Sequence, residues 1–157
     1  MRDDLGIPPL LTRAAAASDL PALRDVYRRS SLSNDDDRAL LLARPELLDF
    51  ADAAVREGRT RVAVDDGRVV GFASTVVRGE AVELEDLFVD PDRRREGIGR
   101  ALVVDVVAVA RGVGRGRVEV DANRHALAFY EQVGFVGLGE VSLEFGTAIR
   151  MRLDISV

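Results

Sequence analysis

Between residues 81 and 122 the chain reads as an extended run, a glycine-bearing turn, a long amphipathic helix and a second extended run. Residues 81–89 are rich in strand formers, and Asp90-Pro91 stops them. Residues 98–111 then carry Leu102, Val103, Val106, Val107 and Val109, an apolar stripe broad enough to be buried on a sheet. Gly112, Gly114 and Gly116 end that helix, and residues 117–122 return to strand composition. A strand–helix–strand unit of this kind is a crossover, so its two strands are expected to lie parallel with a right-handed connection. Any fold for this chain must therefore hold a parallel pair with a helix packed on it.

The flanking pattern fills in the remaining elements. Residues 10–14 form a short strand. Ser18 reads as a helix N-cap, with Pro21 in the first turn and Leu20, Leu23, Val26 and Tyr27 at helical spacing to about Ser31. A polar break at residues 33–37 precedes a second helical region, which splits at Pro45 and continues through Leu47, Leu48, Phe50, Ala51 and Val55 to Gly58. From residue 59 the period becomes two. Residues 59–64 and 69–78 flank the turn Asp65-Asp66-Gly67-Arg68, which predicts a hairpin, and Gly79-Glu80 turns the chain into the run at 81–89. Beyond residue 122 come a helix over 124–133 closed by Gly134 and strands over 135–140 and 143–154. This order implies an α/β fold: a single-domain three-layer α/β/α sandwich around a mixed, mostly antiparallel central sheet. The domain is expected over residues 10–157, with residues 1–9 as a loose leader.

Composition narrows the chemistry. A chain of 157 residues, 47% hydrophobic, can bury one real core. It has no cysteine, hence no thiolate nucleophile or sulfur-ligated metal, and its one histidine, His125, cannot build a histidine-rich metal site. The net charge of −5 argues against binding nucleic acid by phosphate neutralisation and suits a cationic substrate. No apolar run of transmembrane length and no signal-like N-terminus is present, so a cytoplasmic protein without a membrane partner is expected. All basic side chains other than His125 are arginines.

The turn ahead of the long helix is built for an anion. A helix N-terminus leaves backbone N–H groups unpaired and carries positive dipole charge. Gly97 and Gly99 remove side chains where a diphosphate must approach, and Arg93, Arg94, Arg95 and Arg100 add cationic charge. A plain tight turn with a solvated arginine run would look the same in isolation.

The run Leu87-Phe88-Val89-Asp90-Pro91-Asp92-Arg93-Arg94-Arg95-Glu96-Gly97-Ile98-Gly99-Arg100-Ala101-Leu102 closely resembles the acetyl-CoA motif of the GNAT family of N-acetyltransferases, whose core is Gln/Arg-x-x-Gly-x-Gly/Ala. Downstream, Asn123-Arg124-His125-Ala126-Leu127-Ala128-Phe129-Tyr130-Glu131-Gln132-Val133-Gly134-Phe135 is similar to the second motif of that family. The two motifs stand in the family's order and separation, and the element order matches over nearly the whole chain.

This resemblance implies a GNAT-like fold and an acetyl-CoA-dependent N-acetyltransferase that moves an acetyl group to a primary amine of a small molecule or peptide, without a metal. It implies that Leu87, Phe88 and Val89 line the pantetheine arm, on a strand splayed from its neighbour. It further implies that Arg94, Arg95, Glu96, Gly97, Ile98, Gly99, Arg100 and Ala101 wrap the pyrophosphate, and that Asn123 contacts the cofactor, a role compatible with capping the helix that follows. Tyr130 matches the tyrosine that protonates the departing thiolate in many members; a phenol stays protonated at neutral pH. A buried Tyr-Phe packing pair is the alternative.

A base that frees the amine is harder to read. Glu85, two residues before Leu87, is the first candidate; Glu83 shares its face by the period-two rule, and Glu119 on the next strand is a third. Solvent-facing strand glutamates would look alike. His125 reads as a surface residue, and Asp35-Asp36-Asp37 as a solvated helix start. An acyl-CoA-binding regulatory or sensor module without turnover is the competing function. Homodimers are common in the family, and the last strands are where one is expected here.

Overall fold

The computed structural model describes residues 10–144 and 146–156. The leader expected over residues 1–9 lies outside them. The elements are β1 (Leu11–Ala14), α1 (Leu20–Leu32), α2 (Asp35–Ala43), α3 (Ala53–Arg56), β2 (Thr60–Asp65), β3 (Arg68–Arg78), β4 (Ala81–Val89), α4 (Ile98–Gly112), β5 (Arg117–Ala122), α5 (Leu127–Gln132), β6 (Val136–Leu143) and β7 (Gly146–Asp154). The strands form one mixed seven-stranded sheet in the order β1-β2-β3-β4-β5-β7-β6. β4 and β5 pair in parallel, as the crossover requires, while β1–β2, β2–β3, β5–β7 and β6–β7 are antiparallel.

Residue contacts divide the chain into two compact units: residues up to Ser74 with Asp86–Leu102, and Thr75–Glu85 with the residues from Val103 on. In the first unit, Leu23 and Val26 of α1 meet Val55 of α3, Val62 and Val64 of β2 and Phe72 of β3 in one buried cluster. Each such side chain contributes about 1.5–3 kcal/mol by leaving water. The β2–β3 hairpin closes on Asp66 (φ 51°) and Gly67 (φ 77°). Positive φ at both central residues is the primed turn whose twist matches the strands. Inside the hairpin, Thr60 and Ser74 are buried and share a 2.9 Å hydrogen bond. In the second unit, Val82 and Leu84 of β4, Val118 and Val120 of β5, Met151 of β7 and Val106 and Ala110 of α4 are buried.

Four local expectations need correction. Ser18 does not cap α1: it lies in a 3-10 turn, Ala17–Asp19, and the Asp19 carboxylate accepts from the Ala16 amide at 2.7 Å while Arg13 holds it from β1. The second helical region does not run on to Gly58. After Pro45 it becomes a 3-10 turn, Pro45–Leu48, then breaks at Asp49 (ψ 120°), and only α3 is helical beyond it. The break lets Phe50 pack edge-on against Phe72, with ring centroids 5.4 Å apart, so tertiary packing overrides helical spacing. The helix expected from residue 124 begins as a 3-10 turn, Arg124–Ala126. The last reversal falls after Leu143 rather than at residues 141–142: Val141, Ser142 and Leu143 stay in register with Ala148, Thr147 and Gly146 of β7.

Candidate active site

The glycine turn grows out of the end of β4 in the first unit. Asp90 caps a 3-10 turn, Pro91–Arg93, by accepting from the Asp92 amide at 2.9 Å, and Arg94 is extended. Arg95 (φ 63°) and Gly97 (φ 84°) then take left-handed conformations, and α4 starts at Ile98. For an arginine that conformation costs about 1–2 kcal/mol, strain of the kind kept where a turn has work to do. The first helical bond runs from the Ala101 amide to the Gly97 carbonyl at 3.0 Å. The amides ahead of it have no carbonyl four residues back inside the helix, so they project from its N-terminus. Among the described residues, and apart from Gly97 itself and its two chain neighbours, no heavy atom lies within 4 Å of where a Gly97 Cβ would stand, so that side of the turn is open.

The arginines beside the turn divide their work. Arg93 pairs with Asp65 of β2 and with Glu96, and these partners hold its charge inside the protein. Arg94 donates to the Ser33 hydroxyl beyond α1. Arg95 and Arg100 are exposed. One cation the motif does not contain also reaches the turn. Arg29 of α1 forks onto Asp90 at 2.8 and 2.9 Å, and Asp90 is only 3% exposed. The guanidinium holds the Asp90 carboxyl down at about 2, against the opposing effect of its burial. In the sequence Asp90-Pro91 marks the end of a strand; the Asp-Pro-Asp spelling is the signal for a side-chain-capped turn, and nothing in the sequence points to Arg29.

At the end of β4, Phe88 stacks on Phe72 at 5.5 Å and meets Tyr27 edge-on at 5.0 Å. Leu87 and Val89 alternate to the other face. The parallel ladder with β5 joins Ala81–Leu84 to Arg117–Val120 and ends at Leu84, while the strand runs on to Val89. A ladder that stops before its strand does leaves backbone groups for an extended ligand arm.

The proton-transfer candidates belong to the second unit. Tyr130 of α5 is buried, and its ring packs edge-on against Phe129 and Phe135, each at 5.2 Å. Asn123 is exposed and precedes the 3-10 turn that leads into α5; its carbonyl accepts from the Ala126 amide at 3.1 Å, and its side chain makes no cap bond. Glu85 is exposed. Glu83 and Glu119 stand side by side in the β4–β5 register, and Arg150 of β7 reaches both, at 3.3 and 2.6 Å, and Asp121 at 2.9 Å. Arg150, with Arg117, keeps the Glu119 carboxyl below its ordinary range. A carboxylate so held is a poor proton acceptor, which argues against Glu119 as the base. His125 is exposed, and α2 begins at Asp35.

The residues of the turn fit a coenzyme A diphosphate: amides at the start of α4, a glycine conformation that admits close backbone approach, and exposed Arg95 and Arg100 beside them.

Residues 20–135 match the model of the acetyltransferase (GNAT) family. A glucosamine 6-phosphate N-acetyltransferase of Trypanosoma brucei brucei is 38% identical over 100 residues, which cover 57% of this chain and 68% of that protein. The ribosomal protein bS18 alanine N-acetyltransferase of Escherichia coli K12 is 40% identical over 73 residues, covering 45% of this chain and 49% of that one. Among solved structures, a PaiA N-acetyltransferase from Thermoplasma acidophilum in complex with coenzyme A superposes with a TM-score of 0.74 at 16% identity, over 94% of this chain and 99% of that one, and shares the fold.

Proposed function

This chain belongs to the acetyltransferase (GNAT) family and is an acetyl-CoA-dependent N-acetyltransferase, and we propose that it passes the acetyl group by direct attack of a primary amine, with Tyr130 as acid and Glu85 as base. The turn carries this reading: two left-handed residues, Arg95 and Gly97, deliver the amides of α4 in the family's own motif. Bound acetyl-CoA supplies the acetyl group activated as a thioester. Glu85, directly or through a water, takes the proton the ammonium must lose before its nitrogen is nucleophilic. Backbone N–H groups near Val89 stabilise the carbonyl oxygen as its charge grows. As the carbon–nitrogen bond forms and the carbon–sulfur bond breaks, Tyr130 would give its phenolic proton to the departing sulfur; the second proton shed by the nitrogen on becoming an amide would restore the phenol through solvent, and Glu85 would release the first to water.

The names of the matched relatives give one a sugar phosphate and another a ribosomal protein as acceptor. A small molecule or a peptide therefore both suit the reading, and the class is decided by assay. We place the enzyme in solution as a homodimer joined through β6, an edge of the sheet that exposes Val136, Leu138 and Leu143.

The test is thiol release from acetyl-CoA across polyamines, amino sugars, amino acids and peptides. The chain has no lysine, so its own side chains add no acetylation background. Tyr130→Phe is expected to lower kcat about a hundredfold, and Glu85→Gln to lower kcat/KM most at the acid end of the pH range, where the amine holds its proton hardest. Turnover at wild-type rates by both variants would remove the acid and base roles. Coenzyme A binding with no release on any amine would leave the sensor reading in their place.

A further inference from the structure

We infer that Arg29 of α1 is a positioning residue for the cofactor turn, acting through its fork onto the buried carboxylate of Asp90. The inference rests on the reading of that turn as the diphosphate site. Arg29 and Asp90 are 61 residues apart in the chain, and both oxygens of Asp90 are taken, by Nη1 at 2.8 Å and Nη2 at 2.9 Å. The same Oδ1 accepts from the Asp92 amide at 2.9 Å, so the carboxylate is the point where a side chain from α1 and the middle residue of the 3-10 turn meet. The Asp90 backbone is pinned as well: its amide donates to the Val70 carbonyl of β3, and its carbonyl accepts from the Arg93 amide, each at 2.9 Å. Arg29 is steadied in turn by Asp25 one helical turn back, at 2.9 Å, and lies 3.6 Å from the Asp92 carboxylate.

From this anchor the chain runs through Arg94 and Arg95 to Gly97, with two further fastenings, Arg93 to Asp65 and Arg94 to Ser33. Amides that hold a diphosphate work only when they are aimed, and misplacement by about an ångström can cost a hundredfold. A planar fork fixes the direction of a carboxylate as well as its place, which a single ammonium cannot do. With Arg29 removed, Asp90 would hold a buried charge with no cation bonded to it and only the charge of Arg68 acting nearby, and the carboxylate would turn toward water and take the Asp92 amide and the 3-10 turn with it. Arg29 acts through Asp90 and not by contact with the diphosphate.

The experiment compares wild type with Arg29→Met, Arg29→Lys and Asp90→Asn on two donors, acetyl-CoA and S-acetylpantetheine; the second carries the thioester arm without the diphosphate. Arg29→Met is expected to weaken coenzyme A binding in calorimetry, and kcat/KM for acetyl-CoA, by about tenfold or more, while kcat/KM for S-acetylpantetheine stays within about twofold of wild type. Arg29→Lys should recover part of the loss. A folded Arg29→Met that binds coenzyme A as wild type does, or that loses both donors equally, overturns the inference and leaves the acetyltransferase standing. If Arg29→Met does not fold, Asp90→Asn decides by the same donor comparison, with a folded state checked by circular dichroism. Wild type that gives no heat with coenzyme A overturns the reading of the turn, and the inference with it.

Discussion

Gly71 and Gly97 are glycines for different reasons, and the difference can be measured. A Cβ at Gly71 of β3 would stand 3.0 Å from the Phe88 carbonyl oxygen, 3.1 Å from Ile98 Cγ2 and 3.1 Å from Leu102 Cδ1. The first is backbone of β4 and the other two are side chains of α4, so Gly71→Ala must shift the end of β4 and the α4 side chains by a few tenths of an ångström. About 1–3 kcal/mol of stability should go in urea unfolding, together with a higher KM for acetyl-CoA. At Gly97 there is space but a φ of 84°. Gly97→Ala should therefore cost about 1–2 kcal/mol of backbone strain rather than packing, and raise KM for acetyl-CoA as the turn shifts to relieve it. A Gly97→Ala variant with the stability and the KM of wild type would refute this division. Asp90 supplies a pH signature at the same scale. Its folded pKa of about 2 lies below the unfolded 3.8, so its contribution, on the order of 2 kcal/mol, is complete above about pH 4 and lost as pH falls toward 2. Asp90→Asn should differ from wild type near pH 6 and converge with it near pH 2; a gap that does not close on acidification would show that the ion pair does not stabilise the fold.

The elements that sequence alone located best are those whose boundary is written in backbone chemistry. β4 and β5 span the residues expected, and α4 begins where Gly97 and Gly99 permit and ends one residue past expectation, at Gly112. The hairpin turn at Asp66-Gly67 was legible for the same reason, since positive φ demands those residues. The misread stretch, residues 45–58, is where Phe50 answers to Tyr27 and Phe72 rather than to its neighbours in the chain. In the candidate site the turn could be read as a turn, whereas the fork of Arg29 and the hub at Arg150 could not, because an ion pair spanning 61 or 67 residues leaves no periodic trace. The Arg150 hub across β4, β5 and β7 makes its own prediction. Arg150→Met would leave Glu83, Glu119 and Asp121 grouped with only Arg78 on Glu83 and Arg117 on Glu119 to offset their charge. The loss should be about 1–3 kcal/mol at pH 7. Because the Glu119 pKa is depressed in the folded state, the stabilisation is present above its unfolded value of 4.5 and fades as pH drops below it. Urea midpoints of wild type and variant should thus approach each other at pH 4; an equal gap at both pH values would remove Arg150 from that role.

At the scale of the whole molecule the open question is what meets the two ends of the sheet. β1 ends it on one side with Leu11–Ala14; β6 ends it on the other with Val136–Leu143. The longer edge is the more exposed to association, because its outer N–H and C=O groups form a template for another strand. It also carries apolar side chains in water: Val136 is 64% exposed, Leu138 51% and Leu143 48%. The bulge at Gly137/Gly139 interrupts that edge near its start, and the run from Gly139 to Leu143 continues in regular register against β7. A second copy related by a twofold axis can pair with that run antiparallel, each copy covering the apolar side chains of the other, and a specific dimer needs about 1,000 Å² of buried surface to persist. Sedimentation equilibrium of wild type at tens of micromolar should accordingly return twice the 17.1 kDa chain mass. Leu138→Glu places a charge in the bulge beside the paired run, on the apolar edge that the second copy would cover, and should return the single chain mass while thiol release persists. A wild-type chain that sediments as a monomer, or a Leu138→Glu variant that stays dimeric, rules out β6 as the joining edge.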